Sequence, residues 1–234
     1  MRPLTIGEKI IKAHTPQKDF SVGDFIFIRV DFTLANDITA PLSIRAFQKS
    51  GFKKVFNRNK ISLIPDHFTP SKDIKSAQNV KLMREFASRY KIRHFYEVGT
   101  CGIEHAFLPE KGLVIPGQVI VGADSHTCTY GALGALGLGV GSTDIAFSWA
   151  TGKIWIKVPP TILFVYTGKL KRFTTSKDVI LYTISQIGVN GANYRIMEFR
   201  GPIIKNMSQD ARFTLCNMAI EAGAKTGIIE PDQV

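Results

Sequence analysis

Short apolar runs alternate along the chain with segments whose apolar residues recur at helical spacing. The apolar runs predict strands at 25–30, 60–64, 94–98, 118–122 and 161–165. The helical periodicity, together with capping residues and terminal glycines, predicts helices at 40–50, 71–90, 142–152, 176–187 and 209–222. This alternation is typical of parallel βαβ units, so we predict an α/β fold with a mostly parallel sheet.

A break in the pattern comes at Val158-Pro159-Pro160, where two prolines interrupt the chain. We expect a first domain over residues 1–159 and a second, incomplete domain over residues 160–234. No apolar run approaches the roughly 18–20 residues that a membrane-spanning helix needs.

Polar side chains follow three of the predicted strands at the point where each strand ends. These clusters are Pro65-Asp66-His67, Glu104-His105 and Asp124-Ser125-His126. Open α/β sheets bind ligands beyond the carboxyl ends of their strands, so we expect the clusters to share one crevice. Imidazoles beside carboxylates suit general acid–base chemistry. His14 and His94 have no such setting, and we interpret both as structural.

Most of the positive charge is concentrated in residues 42–93. This stretch has 13 Lys and Arg against three acids, a net +10 out of +11 for the chain. The bland interpretation is the solvated face of an amphipathic helix. An anionic substrate or partner remains an alternative, and nucleic acid is the weakest one because no nucleic-acid-binding motif is present.

The chain has only three cysteines, Cys101, Cys128 and Cys216, and no C-x-x-C motif. By spacing alone they predict neither a zinc site nor an iron–sulfur site. Their odd number argues against a disulfide scaffold and favours the reducing cytoplasm. The glycine-rich run at 131–141 lacks a Walker lysine, and we interpret it as close backbone packing in preference to a phosphate cradle.

Taken together, the motifs resemble those of the aconitase superfamily. The segments that carry the resemblance are Pro65-Asp66-His67, Glu104-His105, the run from Gly122 to Thr127 with the glycines after it, and the run from Cys216 to Ala224. The short loops are most similar to the large subunits of the isopropylmalate dehydratases, a branch that includes the homoaconitases. The resemblance covers nearly the whole chain and implies a three-layer α/β/α first domain, followed by part of a second α/β domain.

The resemblance also implies a hydro-lyase that dehydrates a 2-hydroxy di- or tricarboxylate and rehydrates the alkene at the neighbouring carbon. A [4Fe–4S] cluster would act as the Lewis acid. Ser125 would contact a substrate carboxylate, and Asn217 would lie beside the cluster. The residues implied to assist protonation of the departing hydroxyl and to orient water are Asp66, His67, His105, Asp124 and His126, and Glu221 is implied to hydrogen-bond the substrate hydroxyl or water.

The chain departs from the family pattern in one respect. The cysteines that hold the family's cluster come from a later segment, and none of the three cysteines here matches them. We therefore expect an N-terminal portion of a large subunit that is inactive alone and that needs the remaining portion and a small, swivelling subunit. The alternatives are completion of the site by a separate chain, and a non-catalytic protein that binds anions or nucleic acid through residues 42–93.

Overall fold

The computed structural model describes residues 3–233. Its strands are β1 (Phe25–Arg29), β2 (Phe32–Asn36), β3 (Ile61–Ile64), β4 (His94–Phe95), β5 (Val119–Gly122), β6 (Leu136–Gly139), β7 (Lys153–Lys157), β8 (Thr161–Val165), β9 (Ile196–Arg200) and β10 (Thr226–Ile229). Its α-helices are α1 (Ile6–His14), α2 (Ala40–Lys49), α3 (Ile74–Tyr90), α4 (Glu104–Glu110), α5 (Ser142–Thr151), α6 (Ser176–Ile187), α7 (Pro202–Lys205) and α8 (Gln209–Asn217). Two 3₁₀ helices span Ser125–Leu133 and Met218–Ala222.

Five strands form a wholly parallel sheet in the order β4-β3-β2-β5-β6. The α/β fold with a mostly parallel sheet is therefore confirmed. The three strands predicted to end in polar clusters, β3, β4 and β5, share this sheet. Strand β2 was absent from the prediction, and it lies between β3 and β5 at the centre of the sheet.

Alternate residues of the buried strands supply two separate apolar layers, because successive side chains of a strand point to opposite faces. Ala35 and Val121 face one layer, into which α2, α3 and α5 place Phe47, Phe86 and Trp149. The opposite layer includes Leu34, Ile120 and Ile64, packed with Phe107, Leu108 and Tyr130. The sheet is thus covered on both faces, as parallel sheets generally are.

The strand predicted at 25–30 exists as β1, but the prediction that it is buried is wrong, because only one of its faces is buried. Strand β1 pairs antiparallel with β7 in a separate two-stranded sheet. Its side chains alternate between exposed and buried, with Ile26 and Ile28 inside and Phe25 and Phe27 outside. The continuous apolar run FIFI concealed this alternation because the exposed face is aromatic.

A second parallel sheet, in the order β10-β9-β8, lies entirely after residue 160. It has its own apolar cluster, in which Met197 and Phe199 pack with Ile180 and Leu215. The first 3₁₀ helix packs against α8 and β10 and so joins this part to the five-stranded sheet. The boundary expected at 159/160 stays a prediction.

Several helix ends differ from prediction by a few residues because of capping geometry. The helix expected to start at Ser71 begins at Ile74, where the side chain of Asp73 accepts a hydrogen bond from the Ser76 N–H. Thr175, and not Ser176, caps α6 through a reciprocal capping box with Asp178. The helix predicted over 209–222 changes from α to 3₁₀ after Asn217.

Four of the 13 basic residues of the stretch 42–93 lie on α3. Lys81 and Arg84 are exposed there, while Val80, Met83 and Phe86 are buried on the opposite face. This is the amphipathic arrangement of the bland interpretation. Among the helices of residues 3–233, none has the length and apolar character to cross a membrane.

Candidate active site

The carboxyl ends of β2, β3 and β5 place polar side chains at one edge of the five-stranded sheet. Asn36 ends β2, Asp66 follows β3, and Asp124 follows β5. The amide of Asn36 donates to Asp124 Oδ2 at 3.4 Å. The crevice expected from the sequence therefore exists, and it has a contributing strand end that the prediction lacked.

Asp66 anchors the first part of the cluster. Its Oδ1 accepts a hydrogen bond from His67 Nδ1 at 2.6 Å, and its Oδ2 accepts from the backbone N–H of Glu104 at 2.7 Å. The carboxylate is almost fully buried, whereas the imidazole is 36% exposed. The first contact fixes the ring so that His67 Nε2 faces the site, 3.7 Å from Asp124 Oδ2.

Asp124 is the carboxylate on which three imidazoles converge. Its Oδ1 accepts a hydrogen bond from His105 Nε2 at 3.0 Å and another from the backbone N–H of His126 at 2.7 Å. Partial burial alone would raise the pKa of Asp124, but the hydrogen bonds from His105 and His126 outweigh it and hold this pKa far below its usual value. Asp124 is therefore a fixed negative charge at neutral pH.

His126 lies on the open side of the cluster. Its Nδ1 is 3.6 Å from Asp124 Oδ1 and 3.3 Å from the hydroxyl of Ser125, and its Nε2 is 3.6 Å from Glu221 Oε1. Hydrogen bonding to Asp124, with a smaller contribution from Glu221, raises the pKa of His126. This ring is 39% exposed, so it can meet a ligand in its protonated form.

Asn217 lies at the end of α8, against the first 3₁₀ helix. Its side-chain amide donates to Thr129 Oγ1 at 2.8 Å, and its carbonyl accepts from Cys128 Sγ at 3.3 Å. Thr129 in turn donates to the carbonyl of His126 at 2.7 Å. All eight site residues inferred from the sequence are thus linked by short contacts.

Glu104 is a buried acid whose importance the sequence did not reveal beyond its place beside His105. Its side chain has no exposed surface. Asn36 donates to its Oε1 at 2.9 Å, and its Oε2 has no hydrogen-bond partner among the described residues. Burial first, and then the charge of Asp66, raise the pKa of Glu104 well above its usual value, which favours its protonated form.

Three further residues hold the site and were not predicted as part of it. Asp37 accepts hydrogen bonds from the backbone N–H groups of His67 and Phe68, at 2.9 and 2.8 Å. The buried hydroxyl of Tyr130 lies 3.1 Å from His105 Nδ1. The signal available for Asn36 and Asp37 was their position directly after an apolar run, which is the same signal that identified Asp66 and Asp124.

The glycine-rich run serves close packing around the site. A side chain at Gly131 would collide with the backbone of Gly227, and one at Gly139 would meet the carbonyl of Asp124 at 2.7 Å. Gly134 has a φ of 72°, which favours glycine. These contacts support the packing interpretation made from the sequence.

The ligand chemistry of the described residues is that of carboxylates and imidazoles. Two groups are close enough together to hold a metal ion, Asp37-Asp66-His67 and Glu104-His105-Asp124. Neither group includes a cysteine. Cys101 is half-buried and Cys128 and Cys216 are buried as free thiols, and burial raises the pKa of Cys128 to about 12. The cysteines present therefore do not fit the ligand set of the iron–sulfur cluster that the resemblance implies.

His14 and His94 lie away from the site, as expected. His14 Nε2 is 2.6 Å from Asp31 Oδ2, before the start of β2 and so at the opposite edge of the sheet. The ring of His94 packs edge-on against Phe32, and burial lowers the pKa of His94.

Comparison with known proteins finds matches over nearly the whole chain, in the family that the sequence motifs resemble. The model of the aconitase family (aconitate hydratase) matches residues 8–234. A 3-isopropylmalate dehydratase large subunit of Thermodesulfovibrio yellowstonii is 59% identical over 231 residues, and one of Endomicrobium trichonymphae is 57% identical over 230 residues. A large subunit 1 of the same name from Pyrococcus furiosus is 55% identical over 233 residues.

These matches cover 98–100% of this chain but 55% of each of the three relatives, so the chain spans about half their length. Its cluster of Asp66, His67, His105, Asp124 and His126 lies wholly within the matched region. On this evidence the chain belongs to the aconitase family.

Proposed function

We propose that this chain carries the acid–base part of a hydro-lyase site that interconverts 2- and 3-isopropylmalate by dehydration and rehydration. The observation that carries the proposal is the convergence of His67, His105 and His126 on the ionised Asp124 at the edge of a parallel sheet. Removal of water from a hydroxy acid needs a proton donor for the departing hydroxyl, and such a cluster holds one. The relatives' names favour isopropylmalate over homocitrate as the substrate.

In this proposal His126 is the proton donor. Its imidazole is 39% exposed, and hydrogen bonding to Asp124 favours its protonated form. Glu221, 3.6 Å from Nε2, holds the other side of the ring and is placed to contact the leaving hydroxyl or the incoming water. Ser125, next to His126, offers its hydroxyl to a substrate carboxylate.

The other two imidazoles of the cluster have separate roles, proton exchange for His67 and orientation of the Asp124 carboxylate for His105. Asp66 fixes one tautomer of His67, which leaves Nε2 to exchange a proton with substrate or water on the Asp124 side. His105 is held between Asp124 and Tyr130 and fixes the direction of the Asp124 carboxylate. Asn217 acts through Thr129 and steadies the loop that carries His126.

The proposal includes groups that this chain does not supply. A [4Fe–4S] cluster, when bound, supplies Lewis-acid chemistry at the hydroxyl, and we propose that thiolates outside this chain hold it. We also propose a small-subunit partner, since the relatives are named as large subunits. The free thiols of all three cysteines support a reducing, cytoplasmic location.

The test is complementation in vitro. The chain is combined anaerobically with a small subunit, iron, sulfide and the part of the Thermodesulfovibrio yellowstonii large subunit that this chain does not match. Alkene formation from 3-isopropylmalate is then followed by ultraviolet absorbance. We expect turnover that falls by about 10²–10⁴-fold in His126→Asn, the range for loss of a general acid. The matched control, His14→Asn, should keep its turnover. Absence of turnover in the wild-type mixture, or equal turnover in the two variants, would contradict the proposal.

A further inference from the structure

A cavity of about 480 Å³ adjoins the acid–base cluster and is lined by residues from β6, β7 and the segments that precede β9 and β10. Ser125 lines this cavity, and so does Lys225, which directly precedes β10. The cavity has the two features that small-molecule sites commonly combine, an apolar wall and a few polar groups.

Lys225 is a half-buried cation with few partners. Its Nζ donates to the carbonyl of Gly139 at 3.0 Å and lies 5.5 Å from the centre of the Tyr194 ring. Among the described residues, no carboxylate is in ion-pair contact with it. Burial lowers the pKa of Lys225, and Asp144 on the same cavity opposes this shift. An ammonium with donors left over in such a place favours an anionic ligand.

The carbonyl that Lys225 binds belongs to the strand end packed against the site. Gly139 closes β6, and its backbone is so near Asp124 and Ser125 that a side chain there would approach the Ser125 Cα to 3.0 Å. Lys225, bound to the Gly139 carbonyl, and Ser125, packed against Gly139, therefore both line the same cavity.

Most of the remaining lining is apolar, and its other polar side chains are those of Asp144, Asn193 and Tyr194. Strand β7 contributes Ile154, Trp155 and Ile156, and the second 3₁₀ helix contributes Ile220. Ile154 and Ile156 face the buried side of β7, whereas the Trp155 ring lies on the outer face, with its centre 5.8 Å from that of Phe25. A small alkyl group placed against this wall would gain roughly 0.8 kcal/mol for each buried methylene.

We propose that this cavity binds the substrate end that carries a carboxylate and an alkyl branch, with Lys225 as the carboxylate's cationic partner. The inference rests on the proposed function and extends it. Ser125 and Lys225 recognise carboxylate groups, His126 and Asp124 serve the reacting hydroxyl, and the β7 wall receives the branch. The ligand class is therefore a branched hydroxy-dicarboxylate.

The test is calorimetric binding of 3-isopropylmalate to the 234-residue chain, with no cluster or partner present. We expect Lys225→Gln, which keeps a donor for the Gly139 carbonyl but loses the charge, to weaken binding at least about tenfold, as loss of a charged hydrogen bond does. Lys225→Arg should stay within about threefold of wild type. The matched control Lys157→Gln, at the exposed end of β7, should bind as wild type does.

Two ligand variants separate the parts of the cavity. Malate lacks the branch and should bind more weakly than 3-isopropylmalate to the wild type, whereas 4-methyl-1-pentanol keeps the branch but has no carboxylate and should show little response to Lys225→Gln. Equal affinity of wild type and Lys225→Gln for 3-isopropylmalate, or no binding by wild type, overturns this inference. The proposed function is judged separately, by the response of complemented turnover to His126→Asn.

Discussion

Two Asp–His pairs in this molecule have the same short contact distance and different settings. Asp66–His67 and Asp31–His14 each have a nitrogen–oxygen distance of 2.6 Å. Asp66 follows β3 at the carboxyl edge of the sheet, while Asp31 precedes β2 at the amino edge. A short Asp–His contact is therefore no sign of chemistry by itself, and the edge of the sheet on which it lies carries the information.

The surroundings of the two pairs explain the difference. Asp31 also accepts the backbone N–H of Val119 at 2.9 Å, and both nitrogens of His14 are occupied, because Nδ1 is 2.7 Å from the carbonyl of Ile10. The Asp31–His14 pair thus ties α1 to β5 and leaves nothing to react. His67 keeps its Nε2 open toward Asp124, which links it to further imidazoles.

The largest effect is expected from Asp124→Asn. The amide removes the charge that supports three imidazoles while keeping the size of the side chain. In the complemented enzyme we expect turnover to fall by about 10²-fold or more. Asp31→Asn, the equivalent change in the other pair, should leave turnover within about twofold. A large loss in Asp31→Asn with little loss in Asp124→Asn would reverse the comparison.

A smaller effect, on stability, is expected from Asp31→Asn. Loss of one charged hydrogen bond should lower the free energy of unfolding by about 2 kcal/mol, measured by urea denaturation near pH 5.5. The pKa of His14 is raised, chiefly by the Asp31 hydrogen bond, so its contribution is present below about pH 6.5 and is lost as pH rises through the folded pKa.

The pKa of Asp31 moves the other way. Burial acts to raise this pKa, but the hydrogen bonds from His14 and Val119 hold it below its usual value. Its contribution is present above about pH 3.9 and is lost as pH falls through the folded pKa. The stability lost in Asp31→Asn should therefore be greatest between about pH 4 and 6.5. A loss that is independent of pH would contradict this account of the pair.

The smallest effect is expected from Glu104→Gln below about pH 4, where a Glu carboxyl is protonated in both the folded and the unfolded state. The amide matches the size and the neutral state of the protonated side chain, so the free energy of unfolding should change little. At higher pH the wild type should lose stability relative to the variant, by up to about 1.4 kcal/mol per pH unit, because only its unfolded state releases the Glu104 proton. Parallel pH profiles of the two proteins would show that Glu104 is ionised when folded.

The local sequence was sufficient to predict where helices end when a glycine follows their last residue. The stop of α5 at Gly152 and of the second 3₁₀ helix at Gly223 followed from glycines in the left-handed conformation. Strand β2 was missed because it follows β1 after only two residues, with no glycine or proline between the two strands to indicate a break. Only the tertiary fold separates them into different sheets.

The same limit applies to the site. Asp66, Asp124 and the three imidazoles could be found because each follows an apolar run, but their common partner could not be chosen without the order of the strands. Lys225 had no local signal, since it lies 86 residues from Gly139, whose carbonyl it binds. Glu104 became distinctive only through complete burial, which the sequence of a short polar loop does not show.

The central claim is that Asp124 joins the histidines of the carboxyl edge into one acid–base cluster that the Asp31–His14 pair does not share. The most direct test is an NMR titration of the histidine rings in wild type, Asp124→Asn and Asp31→Asn. The account predicts that Asp124→Asn lowers the pKa of His126 and leaves that of His14 unchanged, and that Asp31→Asn does the reverse. An unchanged pKa of His126 in Asp124→Asn would contradict it.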